Sequence, residues 1–455
     1  MSYRKQHRSR SARGVSRREV LQMGAGWAVG GTLLPYALAT PTRAAEHPEL
    51  GTYPAGSVGP SVFVGISCPR TGPYAAVGED EIKGYQLAIE HLNTGDPLLR
   101  KISPRTTRGV LGKEVKYGIA DSEANPNTAV QAQSRFISEK KAVMMTGCAS
   151  SAVAVALNKL AQREKVIYLT CLAASNDVTG KDCTRYGFRE GIYAYPTAQA
   201  LAPVLVSNIG RGKKIAFLTP DYTYGHTVRQ SMEEALKAQG GWSVATNQVS
   251  PLGTTEFSSY LLNVANSGAD VVININFGRD AVLSIKQSAQ FGIGDRMALA
   301  IPIATPFLAQ EVGADLMKGA YGGMGYWWTL EETYPLARML NEAFRKKYNY
   351  NPEYGAHSAY LQVAMWADAV ERAGSFYPPD VIKAYEAGAK LQSPVGEVYF
   401  RGADHQLVRP VIIIKGKKPS AMRSSDDYYE VVKVVDAAPL MQKPDAFGCQ
   451  LGSYD

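Results

Sequence analysis

The chain has 455 residues, a formal net charge of +8 and five cysteines. Of that charge, +7 sits in residues 1–45, where eight Lys/Arg accompany one acid, Glu19. The near-neutral remainder offers no electrostatic case for a nucleic-acid or anionic-membrane partner. Five cysteines are too few for a disulfide-built scaffold, and a composition 45% hydrophobic and 20% charged belongs to a folded chain long enough for two or more domains.

The chain opens with an export-like segment. A basic arm leads to Ser16-Arg17-Arg18-Glu19-Val20-Leu21, then a glycine-laced apolar run to Ala39, then small-residue exits at Ala37-Leu38-Ala39 or Arg43-Ala44-Ala45. Basic arm, apolar run and small-residue exit are the layout of an export signal. The paired arginine and modest hydrophobicity resemble the twin-arginine route, which carries folded proteins. A membrane anchor is the alternative, and Gly24, Gly26, Gly30, Gly31 and Pro35 argue against it by interrupting a run barely long enough to span. The first cysteine is Cys68, too far on for a lipid anchor. The expectation is a signal over residues 1–45, handled by the twin-arginine export machinery and cleaved, with the mature chain free in the periplasm. Oxidation is permitted there. Cys183 with Cys171 or with Cys449 is the pairing to test, against buried free thiols, and an odd count leaves at least one thiol unpaired in a monomer.

From Val62 onward, short β-branched runs alternate with helical periods. Strands are expected at Val62–Ile66, Val115–Ala120, Ala142–Thr146 and Val166–Thr170, with helices at Glu79–Asn93, Asn127–Lys140 and Ser151–Arg163 between them. The pattern then restarts: strands at Lys214–Leu218, Trp242–Gln248 and Val271–Ile275, helices at Thr227–Gln239, Ser258–Ser267 and Ala281–Phe291, and a further strand near Met297–Leu299. Two such series indicate two parallel sheets built from βαβ units, with ligands in the crevice at the strands' carboxyl ends. The loops at those ends are Ser67–Gly78, Gly147–Ser151, Cys171–Thr179, Pro220–Gly225 and Asn276–Asp280. They are rich in the Ser, Thr, Tyr and Gly that suit a small polar ligand.

Five segments in order carry a resemblance: Thr71-Gly72-Pro73-Tyr74-Ala75-Ala76-Val77-Gly78, Asp121 with Asn125-Pro126, Gly147-Cys148-Ala149-Ser150-Ser151-Ala152, Ala173-Ala174-Ser175-Asn176-Asp177-Val178-Thr179, and Asp221-Tyr222-Thr223-Tyr224-Gly225. With the helix end Ala88-Ile89-Glu90-His91-Leu92-Asn93, they resemble the branched-chain amino acid and amide family of periplasmic binding proteins, from Val62 to about Lys417. The resemblance implies an α/β fold of two doubly wound Rossmann-like lobes joined by a three-strand hinge, closing on a ligand like a trap. Lobe 1 is expected at residues 61–190 and 327–402, lobe 2 at 191–326 and 403–436, and a tail at 437–455.

The same resemblance implies ligand contacts. Ser151 opens a helix and offers hydroxyl and N–H to a carboxylate or carbonyl, as a helix N-terminus can; the plainer reading is an N-cap serine. Ser150 precedes it. Leu172, Ala173, Ala174 and Ser175 form a turn presenting backbone groups to the same ligand end, with Ser175 supplying a hydroxyl where the family often has threonine at Ala174. Tyr224 matches a tyrosine that closes over the ligand from lobe 2, or is a core aromatic. Tyr74 and Phe277 are candidate aromatic lining, as are Trp327 and Trp328, though each is singly a packing residue. Amino-acid-binding members place a glutamate after the strand near Met297–Leu299; Ile303 stands there. Unless Asp280 substitutes, an ammonium buried there has no partner and is costly, so the ligand is expected to be an amide, urea or carboxylic acid.

Enzyme readings fail on spacing. There is no G-x-S-x-G elbow and no complete phosphate loop, and the six histidines are scattered, so no metal or cofactor is expected. The expected function is a monomeric receptor that captures a small polar ligand (amino acid, amide, urea or carboxylic acid) between two lobes and delivers it to ABC transporter permease subunits. A periplasmic sensor for a membrane signalling partner is the alternative.

Overall fold

A computed structural model of the chain describes residues 50–455 apart from Pro54 and Ala437; the export segment predicted over 1–45 lies outside the described residues. Fifteen strands follow in order among the described residues: β1 Ser61–Cys68, β2 Glu114–Asp121, β3 Met144–Gly147, β4 Ile167–Thr170, β5 Gly187–Arg189, β6 Lys214–Pro220, β7 Ser243–Ser250, β8 Val271–Asn274, β9 Ala298–Ile301, β10 Tyr321–Met324, β11 Leu391–Ser393, β12 Gly396–Arg401, β13 Gln406–Val408, β14 Val411–Gly416 and β15 Tyr429–Val435. They form an eight-stranded sheet, β11-β12-β13-β5-β4-β3-β1-β2, and a seven-stranded sheet, β15-β14-β10-β9-β8-β6-β7. Each has a parallel core, β2 through β5 with β13 in the first and β7 through β10 in the second, extended by antiparallel edge strands. The short apolar runs of β3, β4 and β8 are buried at every position, as parallel strands covered by helices on both faces must be. The expected fold class is the observed one.

Two helices begin earlier than their periodicity indicates. Ala75–Thr94 continues directly from a 3-10 turn at Gly72–Tyr74, and Thr223–Gly240 starts straight after Tyr222. Small and polar residues fill both first turns, so no apolar stripe announces them. Beyond Leu299 the sequence indicates helix only at Arg345-Lys346-Lys347 and at His357; the structure has the helices Pro335–Tyr348 and Tyr354–Ala373 there, and also the helix Pro378–Glu386 and strands β10 to β15. Helix Tyr354–Ala373 is buried along nearly its whole length against Ala75–Thr94, which hides the amphipathic signature.

The chain passes between the sheets after β5, after β10 and between β13 and β14. One side chain ties all three crossings together. Arg409, in the third, donates to the Glu190 carboxylate in the first and to the Gly325 carbonyl in the second. It also reaches Ser358 Oγ at 3.4 Å. Glu190 is 0% exposed and Arg409 2%.

Cys183 is bonded to Cys449, with Cα atoms 5.5 Å apart. Cys171, the other candidate, is a buried free thiol whose Sγ faces the Gly355 carbonyl at 3.9 Å. It lies one residue beyond β4 in the interior, out of reach of the C-terminal segment that brings Cys449 to Cys183. Cys68 and Cys148 are likewise free and buried.

Candidate functional site

Strand order reverses beside β1 in the first sheet and beside β6 in the second, and loops after those strands and their neighbours meet between the lobes. The turn after β3 needs a glycine. Gly147 has φ +111°, and a Cβ there would lie 2.4 Å from the Ser67 carbonyl oxygen at the end of β1. Cys148 follows with φ +83°, a strained conformation for a non-glycine residue. Its Sγ is steadied by the Tyr168 hydroxyl at 3.2 Å and by the Ser150 carbonyl at 3.4 Å. This turn delivers Ser150 and Ser151 to the start of the helix Ser151–Glu164.

The two serines part company here. Ser151 Oγ accepts the Ser175 N–H at 3.1 Å, so it holds the neighbouring turn in place. Ser150 Oγ is buried with no protein partner. The Leu172–Ser175 turn is pinned from behind. Arg189, fully buried, donates to the carbonyls of Ser175 and, at 3.4 Å, Ala173; burial lowers its guanidinium to about 10. Ala194 N–H donates to the Ala174 carbonyl at 2.9 Å, and Leu172 N–H to the Cys148 carbonyl at 3.2 Å. Ser175 Oγ accepts from Asp177 N–H at 3.1 Å and meets Thr223 Oγ1 of lobe 2 at 2.7 Å. With Thr227 Oγ1 also donating to it at 3.2 Å, the Ser175 hydroxyl is engaged within the protein as an interlobe contact.

Aromatic rings from both lobes converge. Tyr74 Oη and Tyr222 Oη are 2.8 Å apart. The ring of Phe277 lies edge-on to Tyr74 at 5.4 Å and to Tyr224 at 6.3 Å, and Tyr222 and Tyr224 are 5.7 Å apart. Gly278 permits this approach: its φ is +58°, and a Cβ there would sit 2.4 Å from the Pro73 carbonyl oxygen across the cleft. The Tyr224 hydroxyl is buried with no protein partner, and burial keeps its phenol neutral far above the ordinary range. Asp280 Oδ2 accepts the Gly253 N–H at 2.7 Å, while burial pushes its carboxyl up to about 6. Ile303 is 3% exposed in the core, in the loop after β9.

Tyr74, Ser150, Ser151, the Leu172–Ser175 turn, Tyr224, Phe277 and Asp280 therefore lie on strand-end loops that approach one another between the lobes, whereas Trp327 and Trp328 line a different cavity. Tyr222, Thr223 and Arg189 were missed. The first two stand within the Asp221-Tyr222-Thr223-Tyr224-Gly225 motif; Arg189 had no signal, because its partners are loop carbonyls 14 and 16 residues back, the Thr179 hydroxyl and the distant Gln406 amide oxygen, which form no contiguous pattern. Trp327 is a packing residue, its indole N–H donating to the Tyr429 carbonyl at 3.0 Å. A separate cavity of about 430 Å³ beside the cleft is lined by Asp80, Phe307, Trp327, Trp328, Glu353 and Asp426, among others. Its carboxylates are already engaged: Asp80 with Ala356 N–H at 2.6 Å, Glu353 with Phe307 N–H at 3.1 Å and Asp426 with the Asn351 amide at 2.6 Å. The Glu353 and Asp426 bonds join elements of the two lobes, whereas the Asp80 bond lies within the first, and the buried indole N–H of Trp328 in the lining has no protein partner.

Comparison with known proteins follows the same line. A family model described as periplasmic binding protein matches residues 61–421. Leu/Ile/Val-binding protein homolog 7 of Brucella abortus (strain 2308) is 26% identical over 356 residues, 74% of this chain and 83% of its own length. The crystal structure of an amino acid ABC transporter substrate-binding protein from Pseudomonas fluorescens Pf-5 superposes with a TM-score of 0.76 at 28% identity, covering 86% of this chain and 99% of that one. A solute-binding protein from R. palustris, solved in complex with benzoate, shares the fold with a TM-score of 0.72 at 21% identity, over 86% of this chain and 100% of its own.

Proposed function

The chain belongs to the periplasmic binding protein family, the substrate-binding proteins of ABC transporters, and from that premise we propose that it captures a small carboxylic acid or amide lacking an α-ammonium and delivers it to a permease. The observation that carries this reading is a pair of buried hydroxyls without protein partners, Ser150 Oγ from lobe 1 and Tyr224 Oη from lobe 2, beside an aromatic wall. Both suit a carboxylate or carbonyl. Among the predicted cleft residues Asp280 is the sole acid; it is engaged by Gly253, and burial favours its neutral form. A ligand ammonium would have Asp280 as its one carboxylate among them, with Oδ2 already accepting the Gly253 N–H. The benzoate-bound neighbour supports the reading by showing that this fold accommodates an aromatic carboxylate.

Titrating leucine, its deaminated analogue 4-methylpentanoate and benzoate side by side tests it. The non-amino acids are expected to bind, and leucine to be weaker by about a thousandfold, since desolvating its ammonium costs several kcal/mol that one carboxylate already engaged by a backbone N–H offsets only in part. Micromolar leucine binding with no response to the other two overturns the ligand class.

The family implies a periplasmic location, and we assign the route to the paired arginine. Replacing Arg17 and Arg18 by lysine should leave folded protein in the cytoplasm, seen by fractionation. Undiminished periplasmic yield would remove the twin-arginine assignment.

A further inference from the structure

The segment after β15 leaves the edge of the second sheet at Val435 and ends on the first lobe. On the way it is held from both sides. Gln442 Oε1 accepts the hydroxyl of Tyr193, next to the second-lobe helix Ala194–Ile209, at 2.6 Å. The Gln442 carbonyl accepts Arg401 Nη1, on β12 of the first sheet, at 2.7 Å. Phe447 repeats the arrangement. Its ring packs edge-on at 5.6 Å against Tyr195 in that same helix. On its other side lies Gly180, where a Cβ would come within 2.7 Å of Phe447 Cβ. Then Cys449 is bonded to Cys183. The remaining residues dock on the first lobe: the Gly452 carbonyl takes Arg185 Nη2 at 2.7 Å, and the Tyr454 carbonyl takes Tyr186 Oη and Lys165 Nζ, each at 2.8 Å.

We propose that this segment is a strap limiting how far the two lobes open, a fourth connection beside the three crossings, and that the Cys183–Cys449 bond keeps it from yielding. A hinged receptor opens by rotating one lobe against the other. Rotation must separate Tyr193 and Tyr195 from Arg401 and Gly180, and Gln442 and Phe447 bridge both pairs. Without a covalent end, a terminal segment held by hydrogen bonds and the ring contacts of Phe447 and Tyr454 frays readily; with it, the bridging residues stay in place and opening works against them. The periplasm allows such a bond to persist. The strap acts on lobe motion whatever ligand the cleft takes, so its test is independent of the ligand's identity.

Two amides report opening directly. Asn176 N–H donates to Thr227 Oγ1 of the other lobe at 3.3 Å, and Phe307 N–H to Glu353 Oε2 at 3.1 Å. Hydrogen exchange on the unliganded full chain compares wild type with Cys183→Ser/Cys449→Ser. Exchange at Asn176 and Phe307 should rise about tenfold, with no change at Met145 and Ile273 inside the parallel sheets. Equal exchange at the two cleft amides overturns the strap. So does a uniform rise at all four, which would make the bond a general stabiliser only. If the double variant does not fold, phosphine reduction of the folded wild-type chain gives the same comparison with the same two overturning results.

Discussion

Arg409→Leu should cost about 3–5 kcal/mol of unfolding free energy, the range for removing one partner of a buried ion pair. The guanidinium is the shared partner of Glu190 and the Gly325 carbonyl. Its loss leaves the Glu190 carboxylate uncompensated at 0% exposure, with Oε2 already lacking a partner. Burial already raises the Glu190 carboxyl, and Arg409 is the main influence pulling it back down. In the variant Glu190 therefore holds its proton more tightly folded than unfolded. The loss should be smaller at low pH and grow as pH rises through the elevated folded value. Denaturant unfolding at several pH values reads this. Glu190→Leu with Arg409→Leu should recover much of the stability, because no charge is then stranded. A single-variant loss below about 1 kcal/mol would show that the pair does not hold the three crossings together.

Ser150→Ala and Tyr224→Phe should each weaken ligand binding by about 1–3 kcal/mol, the cost of leaving a buried acceptor unpaired. That is roughly ten- to a hundredfold per hydroxyl. Neither should lower the melting temperature of the unliganded protein, because neither hydroxyl has a protein partner to lose. Ser151→Ala is the contrast: it strands the buried Ser175 N–H, so it should destabilise the free protein as well. Calorimetry with 4-methylpentanoate or benzoate, beside thermal melts without ligand, separates the two patterns. Undiminished affinity in both Ser150→Ala and Tyr224→Phe would remove those hydroxyls from the site.

The loops that meet between the lobes were largely readable because each directly follows a strand. Tyr74, Ser150 and Ser151, Leu172–Ser175, Tyr224, and Phe277 with Asp280 each follow a strand, and strand-end loops rich in Ser, Thr, Tyr and Gly stand out against the apolar runs before them. Arg189 and Arg409 were invisible for the opposite reason. Their roles lie in carbonyls and carboxylates up to 219 residues away, and no short pattern encodes such a partner.

By itself, then, the sequence determined the alternation of strands and helices, the restart that makes two sheets, and the strand-end loops that face one another between the lobes. All of these rest on hydrophobic periodicity or on contiguous residue types. Tertiary structure alone decided which serine is free and which props a turn, which cysteine meets Cys449, and that one buried arginine joins three crossings. Those outcomes depend on which polar groups burial leaves to pair with one another, and only the packed chain sets that.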